Sequence, residues 1–172
     1  MESDGYTSYE YMELSVKDNL ASFYLDCYES FGWKQDENFP PHNVNGKVQI
    51  KLKRSRKIVN KVELTRLQRH FEADMQEINA LENSKTSTAN MVSIIIGVIG
   101  TAFMAGSVFA ITAAPPVVWL CIVLAVPAFA GWILPYFVHK KVKNEKTKKV
   151  TPYIEAKYDE IYEICEKGHS LL

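Results

Sequence analysis

Four histidines and three cysteines are the residues of this sequence best suited to metal or nucleophilic chemistry, and their spacing limits what they can do. Cys27, Cys121 and Cys165 are far apart, odd in number and outside any Cys-x-x-Cys pair, so they signal neither a zinc site nor a disulfide framework. Cys121 falls in an apolar stretch and the other two in segments of reduced, cytoplasmic character, which makes packing the role expected of all three. His42, His70, His139 and His169 are scattered. His70 and Asp74 share a helix face at i, i+4, but without a third ligand that spacing reads as a surface ion pair rather than a metal site. No P-loop, nucleophile elbow, His-Glu-x-x-His pair or glycine-rich dinucleotide turn occurs. No catalytic residue, metal or cofactor is therefore expected and the chain reads as non-enzymatic, although groups that meet only in three dimensions escape such a search.

The densest chemical feature is basic. Lys47, Lys51, Lys53, Arg54, Arg56, Lys57 and Lys61 place seven positive charges in fifteen residues. Such a patch suits an acidic protein, anionic lipid or RNA, against the plainer reading of a solvated face. The chain as a whole has a formal charge of zero and no RNA-binding signature, so nucleic acid is the disfavoured partner. Lipid is disfavoured by geometry: were residues 61–90 one helix normal to a bilayer, the patch would stand about 45 Å away from it. A second cluster, Lys140, Lys141, Lys143, Lys146, Lys148 and Lys149, adjoins an apolar run and is read as setting membrane topology.

The elements that must position these groups divide between two solvents. All forty charged residues lie outside the stretch from Thr86 to Val138. Met91 to Ala113 is an apolar run of 23 residues, about 34 Å as a helix against a hydrocarbon core of about 30 Å. Residues 114–116 form a charge-free turn, and Val117 to Val138 is a second run of 22 residues. The pair predicts a transmembrane hairpin with both ends in the cytoplasm, because the six lysines follow the second run and the turn has none. Glu2, Asp4, Glu10, Glu13 and Asp18 are the wrong chemistry for a secretory signal, which also keeps the N-terminal part inside. Trp119, Trp132 and Tyr136 fit interfacial belts. Small residues recur at every fourth position, with Ser93, Gly97, Thr101 and Ala105 on one stripe and Ala102, Gly106, Ala110 and Ala114 on another. These stripes permit close packing, either on the second run or on another copy of the chain. Pro127 predicts a kink.

In the cytoplasmic parts, Ser15 with Asp18 resembles a capping box, and Val16, Leu20, Phe23, Tyr24, Cys27 and Phe31 predict an amphipathic helix over 15–31, ended by Gly32. Lys47 to Arg54 alternates as a half-buried strand, and it pairs in this reading with 33–37 as a small β-hairpin. Asn60 with Glu63 starts a helix over 61–90 whose stripe is Leu64, Leu67, Phe71, Met75, Ile78 and Leu81, with near-heptad spacing suited to a short coiled coil or bundle. Residues 83–88 are open to two readings, hinge or continuous helix. Thr151-Pro152 reads as the cap of a last helix carrying Ile154, Tyr158, Ile161 and Cys165, stopped by Gly168, within a basic and helical segment 139–172. The tyrosines, Tyr6, Tyr9, Tyr11, Tyr153, Tyr158 and Tyr162 among them, are assigned to packing.

Five stretches, 26–33, 64–81, 99–110, 131–137 and 157–172, together resemble a group of uncharacterised small bacterial two-span membrane proteins. The resemblance covers most of the chain; it implies a bacterial cytoplasmic membrane and brings no activity, cofactor or site residue. The fold class expected is a mostly α membrane protein: a transmembrane helix hairpin continued by a cytoplasmic antiparallel helix pair, with an N-terminal helix and β-hairpin over 1–60. Its partners would be the lipid bilayer, a cytoplasmic protein and, through the small-residue stripes, a homo-oligomer. The functions left open are a membrane-anchored adaptor and, as the alternative, a subunit of an oligomeric pore or an accessory subunit of a transporter.

Overall fold

A computed structural model describes residues 8–172, so Glu2, Asp4 and Tyr6 lie outside the described residues. Four strands and three helices follow in the order β1 (Tyr9–Lys17), α1 (Ala21–Glu29), β2 (Lys34–Gln35), β3 (His42–Val44), β4 (Lys47–Ser55), α2 (Lys61–Thr112) and α3 (Val118–His169), with a 3-10 turn at Asp18–Leu20. The chain divides into two compact units, one comprising the chain through Gln76 together with Ala156–Leu172, the other Glu77–Glu155.

In the first unit, β4 is the centre of an antiparallel sheet. It pairs along all nine residues with β1, and with short β2 and β3 at different stretches of its length. The helix expected over 15–31 is therefore two elements. Residues 9–17 alternate, with Met12, Leu14 and Val16 on the inner side, and a period of two seats them against a sheet where a helix would scatter them. Only Ala21–Glu29 is helical, no side chain caps its start, and Ser15 is a strand residue opposite Gln49. Gly32, at φ +81°, ends this segment as expected, in a left-handed conformation that few other residues adopt cheaply. The small hairpin becomes a four-stranded sheet: Lys34 and Gln35 do pair with β4, but β1 and β3 join it too. Asn45-Gly46, both at positive φ, makes the two-residue turn between β3 and β4.

The sheet's inner face (Val16, Val48, Ile50, Leu52) is buried, as are Leu64, Leu67, Phe71 and Met75 of α2. Tyr28, Phe31 and Phe71 pack ring to ring at 5.5–6.4 Å. Burying a side chain such as Phe71 contributes about 1.5–3 kcal/mol. Three side-chain hydrogen bonds tie polar groups into this core. Trp33 Nε1 donates to Gln68 Oε1 at 2.8 Å, and both Gln68 Nε2 and Tyr28 OH donate to Glu72 Oε1 at 2.8 and 2.9 Å. Burial, then the Glu72 carboxylate, pushes the Tyr28 phenol well above its ordinary pKa. Here α2 and α3 run antiparallel: Asn60 meets Leu171, His70 meets Glu160 and Asp74 meets Lys157. Gly168, expected to stop the last helix, lies inside α3, where a Cβ would sit 2.8 Å from the Ser30 carbonyl oxygen. Its role is close approach rather than termination.

The second unit is an antiparallel helix pair. Asn90 faces His139, Ser93 donates to the Pro135 carbonyl at 3.3 Å, and Ser107 Oγ to that of Cys121 at 3.0 Å. The backbones come closest at Gly100 and Gly131, where a Cβ on Gly131 would lie 2.6 Å from the Gly100 Cα. Residues 83–88 are continuous helix, with Ser84 Oγ donating back to the Leu81 carbonyl. Thr151-Pro152 starts no helix; α3 runs through Pro127, Pro135 and Pro152, and Thr151 Oγ1 donates to the Thr147 carbonyl inside it. A proline deprives only one carbonyl of its donor, a loss that long flanking helix can carry. Each of the two helices contains a stretch long and apolar enough to cross a membrane.

Candidate functional site

The sheet register explains what becomes of the basic strand. β1 sets Glu10 opposite Arg54 and Glu13 opposite Lys51, so β4's cations face acids across the ladder. Arg54 continues the inner face of β4 and is 4% exposed, a correction to its place in a surface patch. Its Nε donates to Glu10 Oε1 at 2.6 Å, its other nitrogens to the Phe31 carbonyl and Thr65 Oγ1, and its guanidinium stacks 4.5 Å over Trp33. Lys61 Nζ bonds the other oxygen of Glu10 at 2.6 Å. Burial pushes the Glu10 carboxyl up, but the hydrogen bonds from Lys61 and Arg54 outweigh it and hold it below its ordinary pKa. Lys51 lies 3.8 Å from Glu13 and caps the Phe39 ring at 3.9 Å, while Lys53 lies 3.6 Å from the buried Asp36. Lys47, Arg56 and Lys57 are exposed and make no ion pair among the described residues. The seven-charge cluster thus reduces to Lys47 at one end of β4 and Arg56 with Lys57 just past the other.

The small-residue stripes are also sorted by the helix pair. Gly106 and Ala110 face α3: a Cβ on Gly106 would lie 3.5 Å from Leu124 Cδ1, and Ala110 is buried. Thr101, Ala102 and Ala105 are exposed, and a Cβ on Gly97 would meet nothing within 4 Å. The seam against α3 thus takes Ser93 from the first stripe and Gly106 and Ala110 from the second, and adds Gly100 and Ser107, which belong to neither. Gly100 and Gly131 were not singled out by spacing, because each glycine acts through its counterpart on the other helix. Lys140 and Lys143 follow the apolar part of α3 on its exposed surface along with Lys141.

One cluster has the elements of a ligand site. His70 and Asp74, one turn apart on α2, are joined by Glu160 of α3, and one ligand atom from each lies within 4.8 Å of the others. His70 Nε2 is 3.3 Å from Glu160 Oε1 and 3.8 Å from Asp74 Oδ2. Lys157 Nζ bridges the remaining oxygens, at 2.9 Å from both Asp74 Oδ1 and Glu160 Oε2. That bond from Lys157 holds the Glu160 carboxyl below its ordinary pKa. Asp74 Oδ2 is buried without a hydrogen-bond partner among the described residues. Sequence spacing found His70 and Asp74 but not Glu160, which arrives from eighty-six residues further along the chain through the antiparallel packing of α3. Cys27 and Cys165, also far apart in sequence, are brought together, and the neighbouring Cys165 together with burial pushes the Cys27 thiol above its ordinary pKa.

The class defined by this architecture is a mostly helical protein in which two long, partly apolar helices carry a small four-stranded sheet. No protein family, curated protein or solved structure matches the chain.

Proposed function

We propose that this chain is a non-enzymatic interaction protein anchored in a bacterial cytoplasmic membrane, with the apolar parts of α2 and α3 crossing the bilayer as a hairpin and both ends in the cytoplasm. The observation that carries the reading is exposure. Only 17% and 11% of the most apolar windows of the two helices is buried, whereas a core helix of a water-soluble protein with that composition would be mostly covered. Ile94, Val98, Phe109, Trp119, Ile122 and Phe129 all point outward, more apolar surface than water tolerates on a stable monomer. The side chains turned inward are small, glycine, alanine and serine, as expected where lipid removes the hydrophobic drive between helices and packing with hydrogen bonds takes over. The lysine cluster from Lys140 and its absence from the turn support this orientation.

The folded unit of sheet and helices is the part that meets a partner, and its unpaired cations Lys47, Arg56 and Lys57 suit an acidic protein surface. A photo-crosslinker at Lys57 in intact membranes should capture one distinct protein in a salt-sensitive manner. Alkaline carbonate washing should leave the chain in the membrane pellet; release into the supernatant would remove the anchor reading. The second reading, an oligomeric pore or accessory transport subunit, is favoured by one observation: Gly97, Thr101, Ala102 and Ala105 do not face α3. Protein that stays monomeric in mild detergent would eliminate it.

A further inference from the structure

We propose that His70, Asp74 and Glu160 form a binding site for one divalent first-row metal ion, with Zn2+ the best fit, and that the ion fastens α2 to α3 within the folded unit. The inference is independent of the membrane reading, since all its residues belong to one compact unit. One imidazole and two carboxylates are a ligand set that Zn2+ accepts, at bond lengths of about 2.0–2.2 Å. Such bonds place neighbouring ligand atoms of a tetrahedron about 3.3–3.6 Å apart. His70 Nε2 stands 3.3 Å from Glu160 Oε1 and 3.8 Å from Asp74 Oδ2, which brackets that spacing before any ion draws the ligands in.

The disposition of Lys157 distinguishes this cluster from an ordinary ion-pair network. Its ammonium occupies Asp74 Oδ1 and Glu160 Oε2, the two oxygens turned away from the imidazole. Glu160 Oε1 and Asp74 Oδ2, the two turned toward it, remain for a further cation, and Asp74 Oδ2 is buried with no hydrogen-bond partner among the described residues. Lys157 therefore stands where an outer-shell group stands in metal sites, orienting ligating carboxylates by bonding their second oxygens. Two carboxylates here face one ammonium, a balance that favours a further cation. Asp74 is fixed, its side chain 4% exposed, while His70 at 52% and Glu160 at 41% are free enough to close on an ion and open enough to admit one with a coordinated water. An ion held this way joins α2 to α3 through residues 86 and 90 positions apart in the chain, Asp74 and His70 with Glu160.

The test uses the full chain, without a histidine tag, in detergent micelles after chelator stripping. Zn2+ is titrated in competition with a chromophoric chelator, and Co2+ is followed by its visible absorption, which reports coordination number. The site predicts one ion per chain with a Kd on the order of 1 µM or tighter, and an intense Co2+ band of four-coordinate type. His70→Asn and Glu160→Gln should each weaken binding at least about tenfold; both side chains are substantially exposed, so folding survives the change. His42→Asn and His169→Asn should leave binding unaltered. A Kd weaker than about 100 µM, or binding that is undiminished in His70→Asn, would overturn the proposal and leave the cluster as an ion-pair network.

Discussion

Gly168→Ala opposes two effects of comparable size, and the structure decides between them. Replacing a helical glycine by alanine ordinarily stabilises by up to about 1 kcal/mol, less in the last turn where Gly168 lies. A Cβ at this position would sit 2.8 Å from the Ser30 carbonyl oxygen and 2.9 Å from two atoms of the Phe31 ring. Neither neighbour yields cheaply: one is backbone, and Phe31 is fully buried against Tyr28 and Phe71. Overpacking of this kind costs about 1–3 kcal/mol. The clash outweighs the propensity, and the net is a loss of about 1–2 kcal/mol, which in a unit of this size lowers Tm by at least about 4 °C. Gly168→Val, with two further carbons, should lose more. Thermal unfolding of the full chain followed through Trp33 fluorescence, with Trp119 and Trp132 replaced by Phe, reads the effect. A Tm that rises in Gly168→Ala would show that α3 does not pack on the end of α1 as described.

Other expectations follow from the same contacts. Arg54→Ala should destabilise by about 3 kcal/mol, because it strips Glu10 of one of two cations and uncovers Trp33; Arg54→Lys should recover little of that loss, since an ammonium reproduces neither the fork nor the stacking. Glu10 and Glu160 both have folded pKa values held below the ordinary 4.5. Their contribution is fully present above that pH and lost as pH falls through the lower folded values, so Tm should be level from about pH 7 to pH 5 and fall below about pH 4.5, less steeply in Glu10→Gln. In a background with Cys27 and Cys165 replaced by alanine, Ser107→Cys should oxidise within one chain to Cys121, because Ser107 Oγ lies 3.1 Å from the Cys121 sulfur; crosslinks only between chains would contradict the hairpin register.

The long periodic elements were legible and the short paired ones were not. Leu64, Leu67, Phe71, Met75 and Ile78 announce a buried helical stripe by spacing alone, and all five are buried. Val16, Leu20 and Phe23 also fit a helical spacing, and that coincidence hid β1, whose Met12-x-Leu14-x-Val16 alternation is equally plain over a different window. Missing β1 meant missing Glu10 and Glu13, and without them β4 looked like a bare basic strand. Asn45-Gly46 was a usable hairpin signal for β3 that the loop composition obscured. The seam of the helix pair depends on which face meets the other helix, a choice that small residues distributed all around α2 leave open. Glu160 and Lys157 could be joined to His70 and Asp74 only by knowing the register of α3 on α2, which sets residues 83 (Asp74 to Lys157) and 90 (His70 to Glu160) positions apart side by side and which no local pattern encodes.

A hairpin anchor with both ends in the cytoplasm can be tested by single-cysteine labelling in intact bacterial cells. With the native cysteines replaced by alanine, Ala114→Cys in the turn and Lys57→Cys beyond β4 are exposed in turn to a membrane-impermeant maleimide. In that topology Ala114→Cys is labelled in intact cells and Lys57→Cys only after the membrane is broken. Labelling of Lys57→Cys from outside, or protection of both sites until lysis, would contradict a hairpin anchor with its folded unit in the cytoplasm.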